Sequence, residues 1–169
     1  EVDAAYDYLG DTYQFFMDEH GRDSIDGAGM ELIAIVRYCD FFECPMENAF
    51  WDGSAMYFGE GFVTDDVTAH ELTHGVTEFM SNLIYFNESG AINESLSDNW
   101  GEFVDLTNGR GNDTDGVRWE IGEELPGGPI RDMSDPPRFN QPDRYSDYLN
   151  TGDFDNGGVH INSGISNKM

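Results

Sequence analysis

The sequence predicts an α+β fold: a β-rich first part, a central helix, then the start of a mainly helical second part. Three observations carry this. Apolar residues recur at helical spacing over 2–20. A β-branched run at 31–38 and an Asp-Gly turn at Asp52-Gly53 signal strands. Two histidines four apart, His70 and His74, follow an acidic helix start.

In residues 2–20, Ala5, Leu9, Tyr13 and Phe16 share one helical face, and Gly21 follows as a stop. Residues 31–38, Glu-Leu-Ile-Ala-Ile-Val-Arg-Tyr, are apolar at successive positions, so a strand buried on both faces is expected. Cys39 and Cys44 lie in the next loop, where a disulfide stapling it is expected in preference to two free buried thiols. Asn48–Trp51, Asp52-Gly53 and Ala55–Phe58 read as a hairpin. Thr64, Asp65 and Asp66 supply an N-cap and first-turn acids for a helix through Met80. A second helix is expected from near Ser89 to Gly109. From Thr107 to His160 periodicity vanishes among Gly, Pro and Asp. A loop this long needs bound ions or a neighbouring surface to order it, with Trp119, Ile121, Ile130, Met133, Phe139 and Tyr145 as apolar anchors.

The 169 residues hold 34 acids against 8 Lys and Arg, a net charge of −26. That charge argues against nucleic acid and anionic membranes as partners, since both select basic surfaces. No apolar run approaches the ~18 residues of a membrane span. The acid load suits either a solvated surface or calcium binding. Without an initiator Met or signal peptide, the chain is expected to begin as a mature or cut product.

The chemistry concentrates in His70-Glu71-Leu72-Thr73-His74. Residues four apart on a helix share a face, so both imidazoles can address one ion, and Glu71 can reach a water beside it. Glu94 follows His74 by twenty residues. A helix–turn–helix would return it to the same ion, giving a His-His-Glu zinc set with one position open, the mark of a catalytic site. Asp98, one turn after Glu94, is placed to accept the second ring proton of His70.

These motifs resemble the thermolysin family of secreted zinc metalloendopeptidases. The resemblance runs in order through Glu47–Gly53, Ala69–His74, Leu83–Tyr85, Asn87–Glu94, Trp119–Glu123, Arg131–Pro136 and Asp155–Gly164. It looks most like the bacterial extracellular branch. It implies a thermolysin-like (zincin) fold, with residues 1–82 as the remainder of an N-terminal α/β domain and 83–169 as the start of the C-terminal domain. It implies zinc on His70, His74 and Glu94, and Glu71 as the base that activates water. Tyr85 and His160 would donate to the oxyanion, with Asp155 orienting His160. Asn48, the backbone of Ala49 and Arg131 would hold the substrate main chain. Val67 and Ile130 would line the pocket for an apolar residue after the scissile bond. Calcium would sit on Asp66, Asp105, Glu120 and Glu123, with Glu124 as a neighbour. The implied partners are a peptide or protein substrate and the remaining part of the enzyme, carried on a separate chain. The implied location is extracellular.

Three departures qualify the resemblance. The segment between Gly61 and Asp65 is shorter than the family's hairpin. Arg118 stands where a calcium-bridging acid would precede Trp119, so one calcium rather than a pair is expected. The family pattern also extends before Glu1 and beyond Met169. Two other readings remain: a metal-binding fragment without turnover, and a calcium-dependent binding module. The intact Glu71, Tyr85 and His160 argue against the first.

Overall fold

A computed structural model describes residues 1–168; Met169, which closes the second expected domain, lies outside them. Helix α1 (Val2–His20) buries Ala5, Leu9, Thr12 and Phe16, and Gly21 closes it at φ 62°. Strands β1 (Ala34–Ile35), β2 (Ala49–Trp51) and β3 (Met56–Phe58) form a sheet in the order β1-β3-β2. The hairpin aligns Ala49 with Phe58 and Trp51 with Met56. Asp52 Oδ1 sets its turn by accepting from the Ser54 and Ala55 N–H groups.

The expected strand at 31–38 is corrected. Only Ala34 and Ile35 pair, in parallel with β3, and burial alternates along the segment. Ile33 and Ile35 are 44% and 36% exposed. The apolar run reads as doubly buried, yet β1 is an edge strand with one uncovered face.

Helix α2 (Asp65–Met80) carries the two histidines, and helix α3 (Asn87–Asn108) returns beside it. The second helix starts two residues earlier than expected and ends on Gly109 at φ 70°. The helices approach closely at Gly101, where an added Cβ would stand 2.8 Å from the Asp66 carbonyl oxygen. The core lies between α1, the inner sheet face and α2, with Phe16, Ile25, Met56, Phe58 and Leu72 at its centre.

The stretch after Asn108 is more ordered than the sequence suggests. It holds a ribbon of β4 (Glu120–Ile121) and β5 (Arg131–Asp132), two 3-10 turns, and helix α4 (Asp155–Asn167), which was not expected. Asn156, Gly157 and Gly158 take left-handed angles, so the regular turns begin only at Val159 and leave too short a pattern to read. Ile121 and Met133 are buried anchors, but Ile130 and Tyr145 are 45% and 66% exposed. Among the described residues, no helix is long and apolar enough to cross a membrane.

Candidate metal centre and cleft

The 3.6-residue period puts His70 and His74 on one face of α2, and α3 sets Glu94 opposite. The two Nε2 atoms are 3.0 Å apart. Glu94 Oε2 lies 3.6 Å from His70 Nε2, and Oε1 lies 3.2 Å from His74 Nε2. Ligands about 2.0 Å from a tetrahedral zinc stand about 3.3 Å from one another, which these separations bracket. Glu94 is fully buried, and its Oε2 has no hydrogen-bond partner among the described residues. Burial would raise its pKa, but His74, His160 and His70 outweigh burial and hold the carboxyl well below its usual range. A buried, orphaned carboxylate oxygen facing two imidazole nitrogens fits a divalent cation.

The far nitrogens are also engaged. His74 Nδ1–H donates to Asn93 Oδ1 at 2.8 Å, and His70 Nδ1 lies 2.9 Å from Asp98 Oδ1. Both contacts turn Nε2 towards the common point. Asn93 was missed from sequence because an amide beside a ligand carries no motif.

Asp98 does more than expected. Arg131 Nε donates to its Oδ2 at 2.8 Å, and Asn167 Nδ2 to the same oxygen at 2.7 Å. Burial opposes both charges, yet Arg131 and His70 hold Asp98 ionised, and Asp98 keeps Arg131 charged. Arg131 was expected to grip substrate. It lines the cleft, but its guanidinium is already clamped by Asp98. Asn167 was another omission, since nothing in the sequence ties it to a residue 69 positions earlier.

Tyr85 and His160 converge on the same point. The Tyr85 hydroxyl donates to Glu94 Oε1 and lies 3.2 Å from His160 Nε2. Burial and the Glu94 charge raise its pKa, so it stays a donor. His160 Nδ1 is bonded to Asp155 Oδ1, and Asp155 Oδ2 accepts the His160 backbone N–H at 3.0 Å. The α4 kink thus places the carboxylate and the imidazole it orients on one short turn.

A cleft of about 670 Å³ opens over these groups, lined by Asn48, Ala49, Val67, Glu71, Ile130 and Arg131 among others. Strand β2 forms one wall, and its outer edge has no partner strand among the described residues.

At the N-terminal end of α2 the acids crowd. Asp66 and Asp105 are buried, and Asp105 Oδ1 and both Glu123 carboxylate oxygens lack partners. Burial and neighbouring carboxylates push Asp66, Asp105 and Glu123 upward and carry Glu102 to about 7. Glu120 is buried as well, and its Oε1 is paired with Arg138, which also reaches Asp132. Glu102, missed from the sequence, is buried close enough for the Asp66 charge to raise its pKa. Arg118 is exposed, its guanidinium carbon 6.0 Å from the centre of the Trp119 ring. Cys39 and Cys44 form a disulfide.

A helix offering two imidazoles to a glutamate from its neighbour, beneath an open cleft, defines the His-His-Glu class of metal centre. The family model for the thermolysin metallopeptidase catalytic domain matches residues 1–78, and that for its alpha-helical domain matches 81–169. The chain belongs to the thermolysin metallopeptidase family. It is 44% identical over 190 residues to a zinc metalloproteinase of Renibacterium salmoninarum, covering 100% of this chain and 35% of that protein. It is 46% identical to a bacillolysin of Bacillus cereus, covering 99% and 30%. An extracellular metalloprotease of Pectobacterium carotovorum is 43% identical, with 99% and 53% covered. Among solved structures, the precursor of protealysin, a metalloproteinase from Serratia proteamaculans, superposes with a TM-score of 0.83 at 42% identity, covering 99% of this chain and 57% of that one. The chain spans about a third to a half of the length of these relatives.

Proposed function

We propose that this chain carries the active site of an extracellular zinc endopeptidase that cuts internal peptide bonds before an apolar residue. The observation that carries the reading is the convergence of His70, His74 and Glu94 with Glu71, Tyr85 and His160 around one cleft. When bound, zinc supplies a Lewis acid that polarises the scissile carbonyl and acidifies water. Glu71 takes the proton of the attacking water and delivers it to the leaving amine. Tyr85 Oη–H and His160 Nε2–H donate to the oxygen that becomes negative in the transition state. Asp155 holds the His160 ring for this, and one such donor is typically worth about 3 kcal/mol.

The free edge of β2 lets Asn48 and the Ala49 backbone pair with an extended substrate main chain, as an added strand would. Val67 and Ile130 supply the apolar wall. Arg131, held by Asp98 through Nε and Nη2, turns its remaining N–H groups to the substrate main chain and ties the cleft to the helix of His70. Calcium belongs on Asp66, Asp105, Glu120 and Glu123, with Glu102 beside them, where burial and repulsion among the carboxylates call for a cation. The domains divide as 1–82 and 83–169.

Hydrolysis of a peptide with an internal Leu or Phe should stop on zinc chelation and return with added zinc. Hydrolysis that persists in the metal-free protein would overturn the reading. A purely calcium-dependent binding module would release no fragments under either condition.

A further inference from the structure

Phe41 and Phe42 are 96% and 93% exposed. Single exposed apolar side chains are ordinary. Two adjacent phenyl rings at the tip of a pinned loop are not, because they offer apolar area at little cost in conformational entropy. The rings meet edge to face, 5.6 Å between centres. The Cys39–Cys44 disulfide closes the loop. Asp40 Oδ1 fixes its tip by accepting from the Phe42 and Glu43 N–H groups, both at 2.7 Å. Each end is anchored: Tyr38 N–H donates to Phe58 O at 2.8 Å, and Met46 is buried.

The loop is continuous with the cleft. Phe50 lines the cleft and stacks on Tyr57, 4.8 Å between centres. Tyr57 meets Tyr38 edge on at 4.9 Å, and Tyr38 leads into Cys39. An aromatic strip therefore runs from the cleft wall to the base of the loop. The loop's charges are all acidic, Asp40, Glu43 and Glu47, and no Lys or Arg occurs from Cys39 to Gly53. Arg37, just before it, is paired with Glu1 at 2.7 Å.

We propose that the Phe41-Phe42 loop docks the flanking part of a polypeptide substrate, a segment with an apolar residue beside a lysine or arginine. This deepens the endopeptidase reading and rests on it, naming what the enzyme selects outside its cleft. The rings cover the apolar side chain, and the flanking carboxylates pair with the cation. The same carboxylates repel acidic segments, which gives selectivity as well as affinity.

The test uses the full-length protein and the double variant Phe41→Ser/Phe42→Ser. Both side chains are outside the core, so the variant should keep its melting temperature. A four-residue peptide spanning only the cleft should be cleaved with kcat/KM unchanged. The same core flanked by Leu-Lys pairs should show KM raised on the order of tenfold in the variant, with kcat unchanged. A labelled Leu-Lys peptide, titrated by fluorescence anisotropy in a Glu71→Gln background, should lose about as much affinity. A Leu-Glu peptide should bind weakly to both proteins. Equal affinity of parent and variant for the Leu-Lys peptide, or equal affinity of the parent for Leu-Lys and Leu-Glu, overturns the proposal. If the parent fails to cleave even the short core, the endopeptidase reading falls and the loop's substrate role falls with it. Cleavage of the core without any flank preference tells against the loop alone.

Discussion

Asn93 and Asp98 hold the two imidazoles from behind, one through the His74 Nδ1–H and the other beside His70 Nδ1. Replacing Asn93 should loosen the ion without unfolding the helices, whereas replacing Asp98 would also strand the buried Arg131 charge. Asn93→Ala is expected to weaken zinc affinity at least tenfold, as partners behind metal ligands typically do, measured by competition with a coloured chelator. An unchanged affinity would show that the amide does not orient His74. Glu71 makes the opposite prediction. It is buried, lines the cleft and lies outside the His70-His74-Glu94 group. Glu71→Gln should keep zinc at full content while turnover falls by about a thousandfold or more. Zinc content and peptide hydrolysis measured on one preparation separate these effects. The two histidines were legible because helical period puts them on one face, and Glu94 because a helix–turn–helix over twenty residues returns it to them. Asn93 and Asn167 were not, since amides make useful contacts without a spacing signature. The Arg138 pairing of Glu120 was equally silent, because a contact across eighteen positions has no local pattern.

The contact between α2 and α3 sets whether Glu94 meets the histidines at all. Gly101 makes that contact possible, with Gly90 doing the same for α4: a Cβ there would stand 2.4 Å from Val159 Cγ1. Gly101→Val should therefore push α3 from α2, costing about 2 kcal/mol of stability and a larger share of zinc affinity. The check is thermal unfolding with and without zinc. The zinc-dependent rise in melting temperature should shrink more than the melting temperature of the metal-free protein falls. If both change equally, helix spacing does not control the site. Elements with a full repeat were readable in the sequence, as α1, α2 and α3 show. Strand β1 was overread because residues 31–38 state their hydrophobicity but not what covers them. Helix α4 was unread because Asn156, Gly157 and Gly158 consume its first turn in left-handed angles.

Across the whole molecule, a charge of −26 gathers partly into one buried cluster, and this predicts how stability responds to pH. Burial and neighbouring acids raise Glu102 to about 7 and push Asp105 and Glu123 in the same direction. A carboxyl with a raised folded-state pKa holds its proton in the folded chain after the unfolded chain has lost it. The folded state then binds more protons, so stability falls as pH rises from the ordinary carboxylate range through the raised values. With zinc bound, His70 and His74 do not contribute to this slope. The calcium-chelated, zinc-loaded protein should therefore melt lower at about pH 8 than at about pH 5.5. The proposed calcium would bind the cluster in its ionised form, so its stabilisation should grow over the same interval and flatten or reverse the fall. The segment from residue 107 to the start of α4 should also become the first site of cutting by an added protease when calcium is removed, since Asp105 stands just before it and Glu123 lies within it. A melting temperature that holds or rises with pH in the chelator, together with no gain on adding calcium, would show that the cluster manages its charge without a cation.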